Sequence, residues 1–176
     1  MDVVKTIEKK SPPEWSYLAL LLVGWLTPAV FFVYAVHFLY EFDSYFHVHL
    51  AEIMSKHGLF LKEFPWVSES IWVSDWFDKE WLFHILLIPF LSLGRTEGTQ
   101  LFILFLNILI VLALWYACRT LKRRPKAALF WLLILPWSCW GVFWVRLVMC
   151  RPHLLSIVIL FLALGAMLRR KRLMLA

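Results

Sequence analysis

The chain has 176 residues, of which 62% are apolar and 18% aromatic, and its formal net charge is +6. Soluble domains are about 45–50% apolar, so this composition excludes an ordinary soluble domain. The positive charge does not indicate nucleic-acid binding, because the lysines and arginines cluster at the ends of apolar segments, where they set membrane orientation and contact lipid headgroups. We therefore predict an all-α, polytopic membrane protein whose partner is the lipid bilayer and not a nucleic acid.

Four apolar segments predict transmembrane helices. Crossing a hydrocarbon layer about 30 Å thick takes about 20 apolar residues, and residues 15–40, 99–118 and 127–145 meet this requirement. Residues 153–168 form a shorter segment, which can span the bilayer with the help of flanking residues that reach to the interface. These four spans follow an N-terminal tail at residues 1–14.

The loop between the first two spans, residues 41–98, is predicted to lie outside the cytoplasm. Its part from 41 to 80 holds eight acidic and three basic side chains, whereas the N-terminal tail is rich in lysine. Because positive charge favours the cytoplasmic side, we predict a cytoplasmic tail and an outer loop. Two juxtamembrane helices are predicted within the loop, near residues 43–59 and near residues 78–94.

The first of these juxtamembrane helices has an amphipathic pattern. Its apolar residues Phe46, Leu50, Ile53 and Met54 fall roughly on one face, and Gly58 is suited to end the helix. This pattern suits a helix that lies on the membrane surface.

The placement of residues 78–94 decides the topology of the remaining chain. If they crossed the membrane, the basic residues within 119–126 would lie outside, against the charge bias. If they lie in the outer interface, residues 119–126 and the basic tail 169–176 are cytoplasmic, and the loop 146–152 is outside. We therefore predict both termini to be cytoplasmic, in the inner (plasma) membrane of a bacterium.

Asp43 and His47 are the first candidates for chemistry. A spacing of four residues places them on one helix face, where they could share a metal ion or a proton. A carboxylate at the boundary between water and lipid also suits a general base, which contributes about 10²–10⁴-fold in rate. The alternative is that Asp43 caps the helix and His47 is a solvated interface residue.

A second acidic group follows at Asp75, Asp78 and Glu80, with His84 one turn beyond Glu80. One of these acids could bind a metal, activate an acceptor substrate or orient Asp43. The alternative is an acidic helix N-terminus that is stabilised by the helix dipole.

Three cationic or titratable side chains occur beside the second outer loop, at Arg146, Arg151 and His153. Cations on the outer side run against the charge bias, and a phosphate or pyrophosphate ligand would explain them, because guanidinium groups match phosphate oxygens. The alternative is that these side chains reach to lipid headgroups.

The outer loop also resembles that of a known enzyme family. The residues that carry the resemblance are Phe42-Asp43-Ser44-Tyr45-Phe46-His47, Ala51-Glu52-Ile53, Gly58, Phe64-Pro65-Trp66, and the run from Asp78 through His84 to Phe90. With the order of the spans, they resemble the N-terminal part of the GT-C glycosyltransferases, polytopic enzymes that use polyprenyl-phosphate-linked sugars.

The resemblance implies roles for individual residues. Asp43 would be the catalytic carboxylate, which activates the acceptor or binds a divalent metal such as Mg²⁺ or Mn²⁺, and Asp78 would be the second loop acid. The family's Arg-x-Asp motif is matched by Arg151-Pro152-His153, in which histidine replaces aspartate. Members of the family have more spans than the four predicted here, so we expect a fragment or a small relative.

The sequence therefore predicts a membrane glycosyltransferase, or the N-terminal part of one, acting at the outer face on a polyprenyl-phosphate-linked sugar. The predicted site residues are Asp43 and Asp78 for catalysis, Asp43, His47 and Glu80 for the metal, and Arg146, Arg151 and His153 for phosphate. The alternative is a non-enzymatic scaffold or assembly subunit. A transporter subunit is disfavoured, because the middles of the spans carry no ionisable side chains.

Overall fold

The computed structural model describes residues 13–35, 41–64, 69–120 and 140–175, and every element of regular secondary structure among them is helical. The helices are α1 (Glu14–Tyr34), α2 (Phe42–His57), α3 (Trp81–Leu91), α4 (Arg95–Thr120), α5 (Trp140–Val148) and α6 (His153–Leu175), with a short 3₁₀ turn at Ile71–Val73. The predicted all-α class is confirmed for these residues.

Three helices are long and apolar enough to cross a membrane, namely α1, α4 and the His153–Arg170 part of α6. They overlap the first, second and fourth predicted spans, and they indicate a membrane protein. α4 is the central helix of the three, since half of its apolar window is buried against 28% for α1 and 17% for α6. The exposed apolar faces of α1 and α6 are suited to contact lipid.

The predicted third span, residues 127–145, lies outside the described residues except for its last part, which belongs to α5. A fourth span therefore stays a prediction. α3 is apolar but only 11 residues long, well below the about 20 residues that a span requires. The placement of residues 78–94 in the membrane interface stays a prediction.

α1 and α4 pack antiparallel. At one end Arg119 Nη2 lies 2.8 Å from Glu14 Oε2. At the other end the side-chain amide of Gln100 donates to the carbonyl oxygen of Val33 at 3.1 Å. Since residues 41–94 connect the C-terminus of α1 to the N-terminus of α4, this segment begins and finishes at the same end of the helix pair.

A buried asparagine joins three helices in the middle of the apolar core. The Asn107 side chain accepts a hydrogen bond from Trp25 Nε1 at 3.1 Å. Its amide nitrogen donates to the carbonyl oxygens of Ile103 and Leu147, each at 2.9 Å. Because all its hydrogen bonds are internal, Asn107 links α1 and α5 to α4 without leaving an unsatisfied polar group in an apolar environment.

The segment between α1 and α4 has a small core of its own. Leu50, Ile53 and Met54 of α2 are buried with Phe64, and Trp76, Trp81, Ile85 and Ile88 pack around them. The apolar face of α2, which suited a membrane surface, therefore packs against protein. α2 ends at Gly58, whose φ of +111° favours glycine, as the sequence predicted.

We expect Gly98→Ala to destabilise the fold where α3 crosses α4. A Cβ at Gly98 would lie 2.1 Å from the carbonyl oxygen of Phe90, a backbone atom that cannot rotate away. Overpacking of this kind costs about 1–3 kcal/mol, and it should lower the thermal unfolding midpoint of the protein in detergent.

Gly141→Ala in α5 is the matched control, because among the described residues nothing beyond the adjacent turns of α5 itself lies within 4 Å of the Cβ position there. Alanine is favoured over glycine in a helix by up to about 1 kcal/mol, so this variant should be neutral or slightly stabilised. Equal midpoints for the two variants would contradict a close α3–α4 contact.

Candidate functional site

A cleft of about 490 Å³ lies between α2 and the segment that leads into α3. Asp43 and His47 line one side, because residues four apart share a face of α2. Asp78 and Glu80 line the other side. The remaining lining residues are Phe46, Leu50, Trp72, Trp76, Phe77 and Lys79. The cleft therefore brings together the predicted catalytic pair and the two other predicted metal ligands.

Backbone hydrogen bonds hold the aromatic wall of the cleft. The N–H of Phe64 donates to the carbonyl oxygen of Trp72 at 2.8 Å, and the N–H of Trp76 donates to that of Lys62 at 2.9 Å. The ring of Trp76 stacks on Phe64 at 4.6 Å and meets Trp72 edge-on at 5.0 Å. A segment with little regular secondary structure is thereby fixed against the buried side of α2.

Two histidines from different helices meet at the back of the cleft. His47 Nδ1 lies 2.9 Å from His84 Nε2, and the two residues are 6% and 0% exposed. His84 Nδ1 lies 2.7 Å from Asp78 Oδ2. Because a carboxylate accepts, the hydrogen on His84 is placed on Nδ1, and its Nε2 accepts the hydrogen bond from His47.

Asp78 orients both His84 and the start of α3. Its second carboxylate oxygen, Oδ1, accepts a hydrogen bond from the backbone N–H of Glu80 at 2.9 Å, which is a local turn that aspartate commonly makes before a helix. Both oxygens of Asp78 are thus engaged by the protein, and this geometry fits a positioning role. The catalytic role predicted for Asp78 is not decided by these contacts.

Glu80 completes a group of possible metal ligands. Glu80 Oε2 lies 3.7 Å from His47 Nδ1, and ligand atoms of His47, Glu80 and His84 all lie within 4.8 Å of one another. The predicted metal ligands His47 and Glu80 therefore do come together. The third member of this group is His84, whereas Asp43 makes an ion pair elsewhere.

Arg151 ties the corner between α5 and α6 to the start of α2. Its guanidinium binds both carboxylate oxygens of Glu41 and donates to Asp43 Oδ2 at 2.6 Å. Nearby, the backbone N–H of Cys150 donates to Ser44 Oγ at 3.2 Å. Arg151 thus stands at the edge of the cleft, where the sequence predicts a phosphate-binding cation, and two carboxylates hold it there.

The two other predicted phosphate ligands lie on the same corner. His153 Nε2 is 3.0 Å from the backbone carbonyl oxygen of Arg146 and donates to it, which joins the start of α6 to α5. The Arg146 side chain is exposed. Phosphate binding by Arg146 and His153 stays a prediction.

The ring of His47 is kept neutral by its surroundings. Burial, helped by the charges of His84 and Arg151, lowers the pKa of His47 from about 6.5 to about 4, although Asp43 and Asp78 oppose the shift. A neutral imidazole can donate from one nitrogen and offer a lone pair on the other. The ring is therefore available as a metal ligand at neutral pH.

Sequence reasoning missed two contacts of this site. It named His84 but did not pair it with His47, which is 37 residues away. It also gave no role to Glu41, which binds Arg151 across 110 residues. The only local signal was the presence of histidines among acids at both ends of the outer loop, and that signal did not specify partners.

We expect the unfolding stability of the metal-free protein to fall as pH decreases from about 6.5 to about 4. In this range the unfolded chain protonates His47 while the folded protein does not, so protons favour the unfolded state. His47→Gln removes the titrating ring and should flatten this part of a stability-against-pH profile measured in detergent. An unchanged slope in the variant would assign the effect to another group.

Comparison with known proteins gives no relative for this chain. No protein-family model, no curated protein and no solved structure matches it. The chemistry of the cleft therefore has to follow from its own residues and their geometry.

Proposed function

We propose that the chain is a membrane glycosyltransferase, or the N-terminal part of one, that moves a sugar from a polyprenyl-phosphate donor to an acceptor at the outer face of the membrane. The observation that carries the proposal is the cleft at the end of α1 and α4, with Asp43 and Arg151 side by side at its edge. Its location, its walls and its charges each support a lipid-linked sugar as the substrate.

The location of the cleft suits a substrate that is anchored in lipid. α2 begins shortly after the first span ends, so the cleft lies near the membrane boundary. Large apolar side chains around it are exposed, with Phe42 at 92%, Phe77 at 85% and Ile71 at 80%. Such side chains favour immersion in the interfacial layer. A polyprenyl chain could stay in the bilayer while its phosphate and sugar enter the cleft.

The walls of the cleft suit a sugar. Its volume of about 490 Å³ lies within the range of about 300–1,000 Å³ that is usual for small-molecule sites. Trp72, Trp76 and Phe77 offer flat apolar surfaces, on which the C–H faces of a pyranose ring can pack. The acidic side chains opposite offer acceptors for sugar hydroxyl groups.

The charges suit transfer from a phosphate leaving group. Asp43 has a side chain that is 60% exposed, so an acceptor hydroxyl can reach it. As a general base, Asp43 would take the hydroxyl proton while the acceptor oxygen bonds to the anomeric carbon and the bond from that carbon to the phosphate oxygen breaks. Arg151, beside Asp43, would stabilise the charge that develops on the departing polyprenyl phosphate.

We expect Asp43→Asn to reduce transfer by about 10²–10⁴-fold, because an amide cannot accept the proton. The measurement is transfer of labelled sugar from a panel of polyprenyl-phosphate sugars in proteoliposomes that contain the full chain. Asp75→Asn, which changes an exposed acid that does not line the cleft, is the control and should keep wild-type activity. Full activity in the Asp43 variant would remove this residue from the mechanism.

The proposal also requires the cleft to face away from the cytoplasm. In a cysteine-free background, Tyr45→Cys should react with a membrane-impermeant thiol reagent added to the outside of intact cells, whereas Arg119→Cys should not. Both side chains are exposed in the structure, so accessibility reports the side of the membrane. The reverse labelling pattern would overturn both the orientation and an outward-facing site.

A non-enzymatic assembly subunit is the second candidate, and the exposed apolar face of α6 favours it. Leu160 and Met167 are 62% and 71% exposed, which leaves an apolar face that another membrane helix could cover. Under this alternative, polar substitutions at Leu160 and Met167 should disrupt a complex in cells, and Asp43→Asn should have no effect.

A further inference from the structure

Three side chains converge at the back of the cleft. Neither the capping of the helices nor the packing of the core requires these three side chains to meet. The ligand atoms are His47 Nδ1 on α2, Glu80 Oε2 just before α3 and His84 Nε2 on α3. We propose that these three residues bind a divalent transition metal ion of the zinc type, with Asp78 as the outer partner that orients His84.

The distances are close to those of a bound ion. Zinc binds imidazole nitrogen at about 2.0–2.1 Å and carboxylate oxygen at about 2.0–2.2 Å, so two tetrahedral ligand atoms are about 3.3 Å apart. The nitrogen atoms of His47 and His84 are 2.9 Å apart, and His47 Nδ1 is 3.7 Å from Glu80 Oε2. Each distance differs from the tetrahedral value by about 0.4 Å, which small side-chain rotations can supply.

The surroundings of His84 provide an independent observation. Most histidine ligands donate their second ring N–H to a carboxylate or carbonyl oxygen, which fixes the ring and its tautomer. His84 does this through Nδ1, at 2.7 Å from Asp78 Oδ2, and the other oxygen of Asp78 is held by the N–H of Glu80. The lone pair on His84 Nε2 is thereby aimed at the point where the other two ligands converge.

His47, the second imidazole ligand, is also suited to the ion. His47 donates its Nδ1 hydrogen to His84 in the metal-free site, so binding requires the tautomer of His47 that carries its hydrogen on Nε2. The Nδ1 atom of His47 then offers its lone pair to the ion, while Nε2 carries the hydrogen.

The donor set selects the kind of metal. Two imidazole nitrogens and one carboxylate suit zinc and its neighbours in the first transition series, whereas Mg²⁺ prefers oxygen ligands in a strict octahedron. The family resemblance implies Mg²⁺ or Mn²⁺, and this ligand set favours zinc instead. Two histidines with one glutamate also leave a fourth position open, as in catalytic zinc sites.

The open position would face the cleft, since His47 and Glu80 line it while His84 lies buried behind them. A fourth ligand could therefore be water, a hydroxyl group or a phosphate oxygen. The site stands on this geometry alone and does not depend on sugar transfer.

The test is metal binding by the full chain, purified in detergent without a polyhistidine tag and stripped with a chelator. Titration with Zn²⁺ should show one ion per chain by calorimetry and elemental analysis. Co²⁺ should give the strong visible absorption of a four-coordinate ion. Glu80→Gln should abolish stoichiometric binding, and Asp78→Asn should weaken it by about 10–100-fold, because it loosens His84 without removing a ligand.

His49→Gln is the matched control, because His49 lies on the same helix with a side chain that is 65% exposed and 3.6 Å from Glu52 Oε2. Its affinity for Zn²⁺ should equal that of the wild type. Glu80 is the deciding position, since it is less buried than the two histidine ligands and its replacement is less prone to disturb folding, which gel filtration of the variant checks.

Two outcomes would overturn the metal site. The first is a wild-type chain that binds no stoichiometric Zn²⁺ or Co²⁺. The second is binding that Glu80→Gln leaves intact, or that His49→Gln weakens as much as Glu80→Gln does. Neither outcome affects the Asp43→Asn comparison, so failure of the metal site and failure of the transferase proposal can be told apart.

Discussion

The antiparallel packing of α1 against α4 is the constraint on which the described fold depends. Residues 41–94 therefore leave and rejoin the helix pair at the same end. The ion pair of Glu14 with Arg119 marks one end of the pair, and the hydrogen bond of Gln100 to Val33 marks the other. The loop between these helices must then fold within a small volume at the membrane boundary. α3 satisfies this requirement by crossing α4 at Gly98, and α2 by packing on α3.

Two buried polar side chains, Asn107 and His84, make hydrogen bonds to groups of the protein. Asn107 makes three hydrogen bonds to neighbouring groups, and His84 is held between Asp78 and His47. An unpaired polar group in such surroundings costs about 1–3 kcal/mol, so each network favours one arrangement of its helices. The Asn107 network specifies the core, and the histidine network specifies how α2 meets α3.

Arg151 forms an electrostatic link between the start of α2 and the corner after α5. It lies just before α6 and binds Glu41 and Asp43 at the start of α2, so the corner after α5 and the edge of the cleft hold each other in place. A carboxylate that shares a guanidinium is positioned but partly neutralised. Under the proposed transferase function, the phosphate of the donor would compete with Asp43 for Arg151 and thereby release the carboxylate for proton transfer.

The helical class, the three helices that are long and apolar enough to cross a membrane, and the two helices between α1 and α4 could be predicted from the sequence. The reason is that a long apolar run in lipid must satisfy its own backbone, which leaves the α-helix as the local solution. The bounds of the helices also follow from the local sequence. For example, α2 was predicted at 43–59 and spans Phe42–His57, and it ends at Gly58. The sequence also placed acids and histidines in one loop.

Only the tertiary structure decided which of these residues meet. The apolar face of α2 has the same periodicity whether it faces lipid or protein, and the packing of Trp76 and Trp81 against it settled the choice. Likewise, the tertiary packing pairs His47 with His84, and Arg151 with Glu41. Contacts over such separations depend on the summed packing of several helices, and no local pattern in the chain encodes them.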